Sequence, residues 1–179
     1  LIVNTGLRLK EAATLKRWQL DFESKVIRAQ CSKQWRGKVA YRDVPMTPFV
    51  YEVLSEYMET RPMLPNAWFF PFMEEEGVED YRRVSQRLSF RFKIAFEYMD
   101  IYDLHEHDLR HEATCRWLEM QDANGNFLFR LEEVNRIMGW APGSVMAQRY
   151  ASFRGTDMAA KLWATSGGQE VSFGGKSSV

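Results

Sequence analysis

The spacing of apolar positions along the chain predicts a mostly helical domain. In residues 82–99, for example, Val84, Leu88 and Phe92 recur four residues apart, which places them on one face of a helix. The same spacing predicts further helices at residues 9–18, 48–59, 108–120, 131–138, 144–153 and 157–163. Two short runs, 26–31 and 39–44, have the character of strands joined by a polar hairpin that contains Gly37. We therefore expect an α+β fold, mostly α-helical with a small antiparallel β-sheet.

The ends of the chain differ from its middle. Residues 166–179 are rich in Gly and Ser, which predicts a flexible C-terminal tail after a single domain over residues 1–165. Residues 1–3 read as the end of an apolar helix whose earlier turns are missing, so we interpret the chain as part of a longer protein. Residues 68–70 are a candidate for one further short strand.

Composition excludes several classes of protein. Hydrophobic residues make up 45% of the chain and charged residues 27%, an ordinary balance for a globular domain. No apolar run approaches the roughly 18 residues that span a bilayer, so we expect no membrane segment. Cys31 and Cys115 show no metal-ligand spacing and suit free thiols in a reduced, cytoplasmic protein.

The charge distribution says more than the net charge. With 24 basic and 24 acidic residues the chain is neutral, which counts against nucleic-acid binding. Residues 25–42, however, hold six basic residues and no acidic one. The alternatives are a solvated hairpin or a basic arm that contacts DNA phosphates. The candidate DNA-binding residues on this arm are Arg28, Arg36, Lys38 and Arg42.

Four segments carry candidate chemistry, although each alone has an ordinary structural interpretation. Arg8 and Glu11 are one helical turn apart, as in many surface ion pairs. Lys33 lies on the hairpin, where most lysines are solvated. His107 and Arg110, in His107-Asp108-Leu109-Arg110-His111, face the same way from a helix. The fourth segment contains Trp140 and Tyr150, two aromatic residues that would be ordinary in a core.

Taken together and in this order, the segments resemble the tyrosine site-specific recombinases of the phage integrase kind over about residues 1–162. The family's TGLRxxE block stands at residues 5–11, its hairpin lysine at Lys33 and its HxxR block at His107 and Arg110. A Gly-His pair usually precedes the nucleophile, and here the pair is Gly139-Trp140, as in some active members. Tyr150 follows Trp140 by ten residues, one more than is common.

The resemblance implies a cofactor-free reaction, with no metal, in which Tyr150 attacks a DNA phosphodiester and forms a covalent phosphotyrosine. Arg8 and Arg110 would clamp the phosphate, while Lys33 would be the general acid for the leaving hydroxyl. His107 would donate to the phosphate or accept the tyrosine proton, and Trp140 would donate one N–H. Glu11 would orient the Arg8 neighbourhood. Positive charge nearby is expected to favour the phenolate of Tyr150.

The resemblance also implies a tyrosine recombinase/integrase catalytic-domain fold. It implies a catalytic half of a two-domain clamp, without the N-terminal core-binding domain. Four protomers would assemble on two double-stranded DNA sites and exchange strands through a Holliday junction. Phage or mobile-element integration in a bacterial cytoplasm, at the nucleoid, is the expected setting. The alternatives are a DNA-binding accessory protein with a decayed site, a type IB topoisomerase, and an unrelated helical domain with chance motifs.

Overall fold

The computed structural model describes residues 1–31, 39–73 and 81–150, together with Trp163. Within these ranges the chain is mostly helical, with one small sheet. The helices are α1 (Ile2–Thr5), α2 (Leu9–Ala13), α3 (Pro48–Thr60), α4 (Tyr81–Tyr98), α5 (Glu106–Glu119) and α6 (Leu131–Met138). The strands are β1 (Leu20–Asp21), β2 (Val26–Gln30) and β3 (Tyr41–Pro45). The expected fold class is confirmed. None of the described helices is long and apolar enough to cross a bilayer.

The sheet is antiparallel, in the order β1-β2-β3. Ile27 pairs with Leu20 on one side and with Val44 on the other, and all three are buried. Arg28 and Gln30 alternate with the buried positions of β2 and are exposed. This period of two turns one face of the sheet toward the helices and leaves the other to solvent.

The main core joins the first residues of the chain to the sheet and to α6. Leu7, Ile27, Val44, Val134 and Met138 are all fully buried in it. Helix α1 packs against α5, and α6 contacts both β3 and α5. The turn after α1, the middle of α5 and the end of α6 therefore converge on one side of the core.

Helix α6 has the same limits as the helix that the sequence predicts, because its signals are local. Oε2 of Glu133 accepts the N–H of Arg130 at 2.7 Å at its start. Gly139 ends it with φ of +67°, in the left-handed region that favours glycine. The start of helix α3 is also set by local signals. Pro48 is its first residue, and Oγ1 of Thr47 accepts the N–H of Val50 at 3.3 Å.

Helix α2 is much shorter than the predicted helix over residues 9–18. The backbone after Thr14 bonds to a distant segment instead of continuing the helix. Arg17 N–H donates to the Ala67 carbonyl at 3.0 Å, and Phe69 N–H donates to the Leu15 carbonyl at 2.7 Å. For the same reason residues 68–70 do not form the expected strand, since Trp68 makes only an isolated bridge to Lys16.

The segment before the end of the described chain also differs from its prediction. In place of a helix over residues 144–153, the described part holds one turn of 3₁₀-helix, Ala147–Arg149. Three other predicted parts lie outside the described residues: residues 151–153, the helix at 157–163 apart from the exposed Trp163, and the tail at 166–179.

Gly6 provides the sharpest test of this packing. Its φ is +69°, and a Cβ there would lie 2.4 Å from Sδ of Met138. Gly143 is a matched control, since its φ is +73° but a Cβ there meets nothing within 4 Å. We expect Gly143→Ala to lower the free energy of unfolding by about 1 kcal/mol, from backbone strain alone. Gly6→Ala should lower it by roughly 3 kcal/mol, because steric overlap is added. Urea unfolding measures both, and equal losses would contradict the close contact with α6.

Candidate active site

Arg8 is held by one carboxylate, yet its side chain reaches the surface. It is the N-cap of α2, with extended backbone. Its N–H donates to Oε2 of Glu11 at 2.8 Å, and its Nη1 donates to Oε1 at 3.0 Å. The side chain remains 34% exposed. The guanidinium is therefore fixed in direction and still accessible to an anion.

Glu11 lies at the centre of a buried ionic network. Arg42 of β3 donates to both of its oxygens, Nη1 to Oε1 at 2.9 Å and Nη2 to Oε2 at 2.8 Å. Nε of Arg42 donates to the Ile137 carbonyl at 2.8 Å. Burial alone would raise the pKa of Glu11, but bonds and charge from Arg42, then from Arg8, hold that pKa below its usual value. The network joins α2, the sheet and the end of α6.

Arg110 lies deeper than Arg8 and connects two other segments. This residue of α5 is only 5% exposed. Its Nη1 donates to the Gly6 carbonyl and its Nη2 to the Met138 carbonyl. Burial, followed by repulsion from Arg8, lowers the pKa of its guanidinium to about 10. Arg110 therefore remains charged at neutral pH.

Gly139 and Trp140 bring the end of α6 over Arg110. The left-handed turn at Gly139 directs Trp140 back toward α5, and the backbone N–H of Trp140 donates to the Asn135 carbonyl at 2.9 Å. Cζ of Arg110 lies 5.9 Å from the centroid of the indole ring, as in a cation–π contact.

Tyr150 closes the site from above the indole. Its ring stacks on that of Trp140, with centroids 6.0 Å apart and 5° between the planes. Its hydroxyl lies 2.5 Å from Nδ1 of His111. Three segments that are far apart in sequence thus place a phenol hydroxyl, an imidazole and two guanidinium groups near one another.

The ionisation of Tyr150 is set by two opposing effects. Burial, and to a lesser degree Cys115, raise the pKa of its phenol. The charges of Arg110 and Arg149 act in the opposite direction but do not reverse the shift. The nearby positive charge therefore acts in favour of the phenolate, as expected, but burial outweighs it, and the hydroxyl carries its proton at neutral pH.

His107 stands at the outer edge of the site. It is exposed, and its ring meets that of His111 edge-on at 4.8 Å between centroids. Burial, then the charges of His111 and Arg110, lower the pKa of His107 below its ordinary value. His107 is therefore mostly neutral at physiological pH and remains open to a substrate.

Comparison with known proteins assigns the chain to a family. The model of the phage integrase family matches residues 1–154, most of the chain. The chain belongs to the phage integrase family.

Solved structures agree in fold. The crystal structure of XerA recombinase has a TM-score of 0.59 and 20% identity, over 92% of this chain and 53% of that one. The Tn1549 transposon integrase in complex with circular intermediate DNA has a TM-score of 0.55 and 23% identity, over 90% and 54%. The chain thus spans about half the length of either protein. No curated protein sequence matches it.

The basic arm of this integrase family chain is only partly described. Lys33, Arg36 and Lys38 lie outside the described residues. Arg28 is exposed on β2, with Nε 3.6 Å from Oδ1 of Asp43, and remains a candidate DNA contact. Arg42 was expected on the same exposed surface, but its side chain is only 8% exposed. That expectation needs correction, because Glu11 and the Ile137 carbonyl occupy its guanidinium.

Sequence reasoning missed one member of the site. His111 was quoted within the HxxR block but given no role, and the structure places it against the Tyr150 hydroxyl. A signal was present, because His111 follows His107 by four residues and so lies on the same face of a helix. The contact itself depends on the path of residues 139–150, which the sequence pattern does not give.

The ionic network predicts a large effect at Arg42. Arg42→Ala leaves Glu11 buried with Arg8 as its remaining described partner, so we expect the free energy of unfolding to fall by about 3 kcal/mol. Arg28→Ala is the control from the neighbouring strand, and its exposed ion pair should contribute less than about 1 kcal/mol. Adding Glu11→Gln to Arg42→Ala should recover part of the loss. Similar small losses for both arginines in urea unfolding would contradict the network.

Proposed function

We propose that residues 1–165 are the catalytic domain of a tyrosine site-specific recombinase, followed by a tail at 166–179. It breaks and rejoins DNA through a covalent 3′-phosphotyrosine, with Tyr150 as the nucleophile. The observation that carries this proposal is the Tyr150 hydroxyl, bonded to a histidine above the stacked Trp140 and Arg110. The family assignment of residues 1–154 supports it.

The two active-site arginines suit phosphoryl chemistry. A phosphodiester is already anionic, and its transition state gathers more charge on the non-bridging oxygens. Arg8 offers an exposed guanidinium, and Arg110 offers a rigid one in a buried position where charge is poorly screened. A preorganised donor of this sort lowers the barrier by about 3 kcal/mol. Glu11 and Arg42 keep Arg8 in place rather than react.

The remaining roles follow from what each group can donate. The indole of Trp140 has one N–H and no acceptor, so it donates to a phosphate oxygen but transfers no proton. His107, exposed beside the site, donates to the same phosphate. Lys33 protonates the leaving 5′ oxygen of DNA as general acid. The phosphotyrosine conserves the energy of the broken bond, so rejoining needs no ATP or other cofactor.

The partners are DNA and further copies of the protein. The Tn1549 integrase is described in complexes with circular intermediate DNA and with transposon right end DNA. We extend this to double-stranded recombination sites for the present chain, bound by a homotetramer that exchanges strands. Integration of a phage or another mobile element in a bacterial cytoplasm is the setting we favour.

Two rival functions retain the fold. A decayed accessory protein would bind DNA without cutting it. Against this alternative, the chain has a residue at each position of the family's catalytic motifs. A type IB topoisomerase would cut and relax one duplex without joining two. Exchange of flanking sequences between two DNA molecules separates recombination from relaxation.

Tyr150→Phe tests the proposal directly. On a nicked suicide DNA the wild-type whole protein should accumulate a covalent adduct, and Tyr150→Phe should reduce it by at least about 10³-fold, since no other nucleophile replaces the phenol. Tyr102→Phe is the matched control, because that hydroxyl is exposed and bonds only to Asp100 within the described residues. It should cleave like wild type. A Tyr150→Phe protein that still forms adducts would disprove the assignment, and a wild type that binds DNA without cutting would indicate the decayed accessory protein.

A further inference from the structure

The proton on the Tyr150 hydroxyl needs an acceptor as the oxygen attacks phosphorus. A general base must lie within hydrogen-bond reach of the proton it removes, so geometry comes before acidity. His111 meets this condition, since its Nδ1 is 2.5 Å from the hydroxyl oxygen. The sequence instead suggests His107, which is exposed and contacts the other imidazole ring.

From this geometry we infer that His111 is the catalytic proton acceptor for Tyr150, and that His107 donates a hydrogen bond to the phosphate. The inference rests on the proposed function and adds to it the base for the nucleophile. His111 is half-buried on α5, one residue after Arg110, and so is fixed by the same helix that fixes the phosphate clamp. The ring of Trp140 stacks on the Tyr150 ring.

The ionisation of the surrounding groups agrees with this assignment. Because the pKa of Tyr150 is raised, its hydroxyl carries the proton that must be removed during the attack. Arg110, at its pKa of about 10, is charged at neutral pH, and its charge acts on the Tyr150 phenol. Among the described residues, the titratable and charged groups that face the pair are His107, Arg110 and Cys115 from α5, and Arg149 from the 3₁₀ turn.

The step balances without any further reagent. As the Tyr150 oxygen bonds to phosphorus, its proton passes to Nδ1 of His111, which becomes an imidazolium. The bond between phosphorus and the DNA 5′ oxygen breaks, and its electron pair leaves with that oxygen, which takes a proton from Lys33. During rejoining the 5′ hydroxyl attacks phosphorus and returns its proton to Lys33. The bond between phosphorus and the Tyr150 oxygen breaks, and the imidazolium returns the other proton to that oxygen.

His111→Asn separates proton acceptance from hydrogen bonding. The asparagine amide sits close to the place of Nδ1 and can bond the hydroxyl, but it does not accept a proton. At neutral pH we expect adduct formation on the suicide DNA to slow by about 10²-fold. The defect should shrink as pH rises toward 10, because the phenolate then forms without a base. A substrate with a 5′-bridging sulfur, which needs no acid for its leaving group, should rescue Lys33→Ala but not His111→Asn.

The control is His107→Asn, the same change one helical turn earlier. It should also slow cleavage, but by a factor that stays constant as pH rises. A wild-type rate for His111→Asn, a pH-independent defect, or a pH-dependent defect found only for His107→Asn would each overturn the inference. If the wild type forms no adduct, the proposed function fails and the inference fails with it.

A second measurement uses the unaltered protein and so does not depend on folding of the variant. Nitrogen NMR of the imidazole distinguishes its tautomers. We expect His111 without DNA to carry its proton on Nε2, with Nδ1 free to accept, and expect the Nδ1 resonance to shift in Tyr150→Phe. A proton on Nδ1 of neutral His111 would contradict the assignment, since that nitrogen then has no place for the tyrosine proton.

Discussion

The candidate site depends first on a buried guanidinium. Arg110 donates to the carbonyl after α1 and to the last carbonyl of α6, so one side chain of α5 closes two turns that are remote in sequence. A buried charge is costly unless its donors are paired. The positive φ of Gly6 and Gly139 lets both turns approach closely enough. These bonds therefore help to fix Arg8 and Trp140 relative to each other.

A second set of bonds, centred on Glu11, also holds the end of α6. Glu11 receives Arg8 and Arg42 together, and Arg42 also bonds the Ile137 carbonyl next to the one that Arg110 takes. The two links hold the end of α6 from the sheet and from α5. Trp140 follows the end of α6 closely and is positioned by it, and the ring of Tyr150 stacks on that of Trp140. Preorganisation of this kind is what stabilisation of a charged transition state requires.

Local signals in the sequence were sufficient for part of the fold. The limits of α6 follow from Glu133 and Gly139, and those of α3 from Thr47 and Pro48, all within one turn of the helix ends. The early end of α2 and the two-residue strand β1 were not predictable in this way. Both are set by backbone bonds to segments far along the chain, which a periodic pattern does not contain.

The same distinction applies to the site. Ordered motifs were enough to nominate Arg8, His107, Arg110, Trp140 and Tyr150. They were not enough to separate Arg42 from its basic neighbours, because its partner Glu11 lies 31 residues away. Nor did they show which of two histidines contacts the Tyr150 hydroxyl. A charge pattern gives the residue type but not the partner, and the partner decides the role.

Arg110→Lys tests the central claim most directly, since lysine keeps the charge but cannot span two carbonyls as a planar fork does. Arg116→Lys on the exposed face of α5 is the control, with an expected change below about 0.5 kcal/mol. For Arg110→Lys, urea unfolding should show a loss of about 2 kcal/mol, as expected when a charged hydrogen bond is removed from a buried site. Equal stability of the two variants would contradict the claim that Arg110 joins the turns into one site.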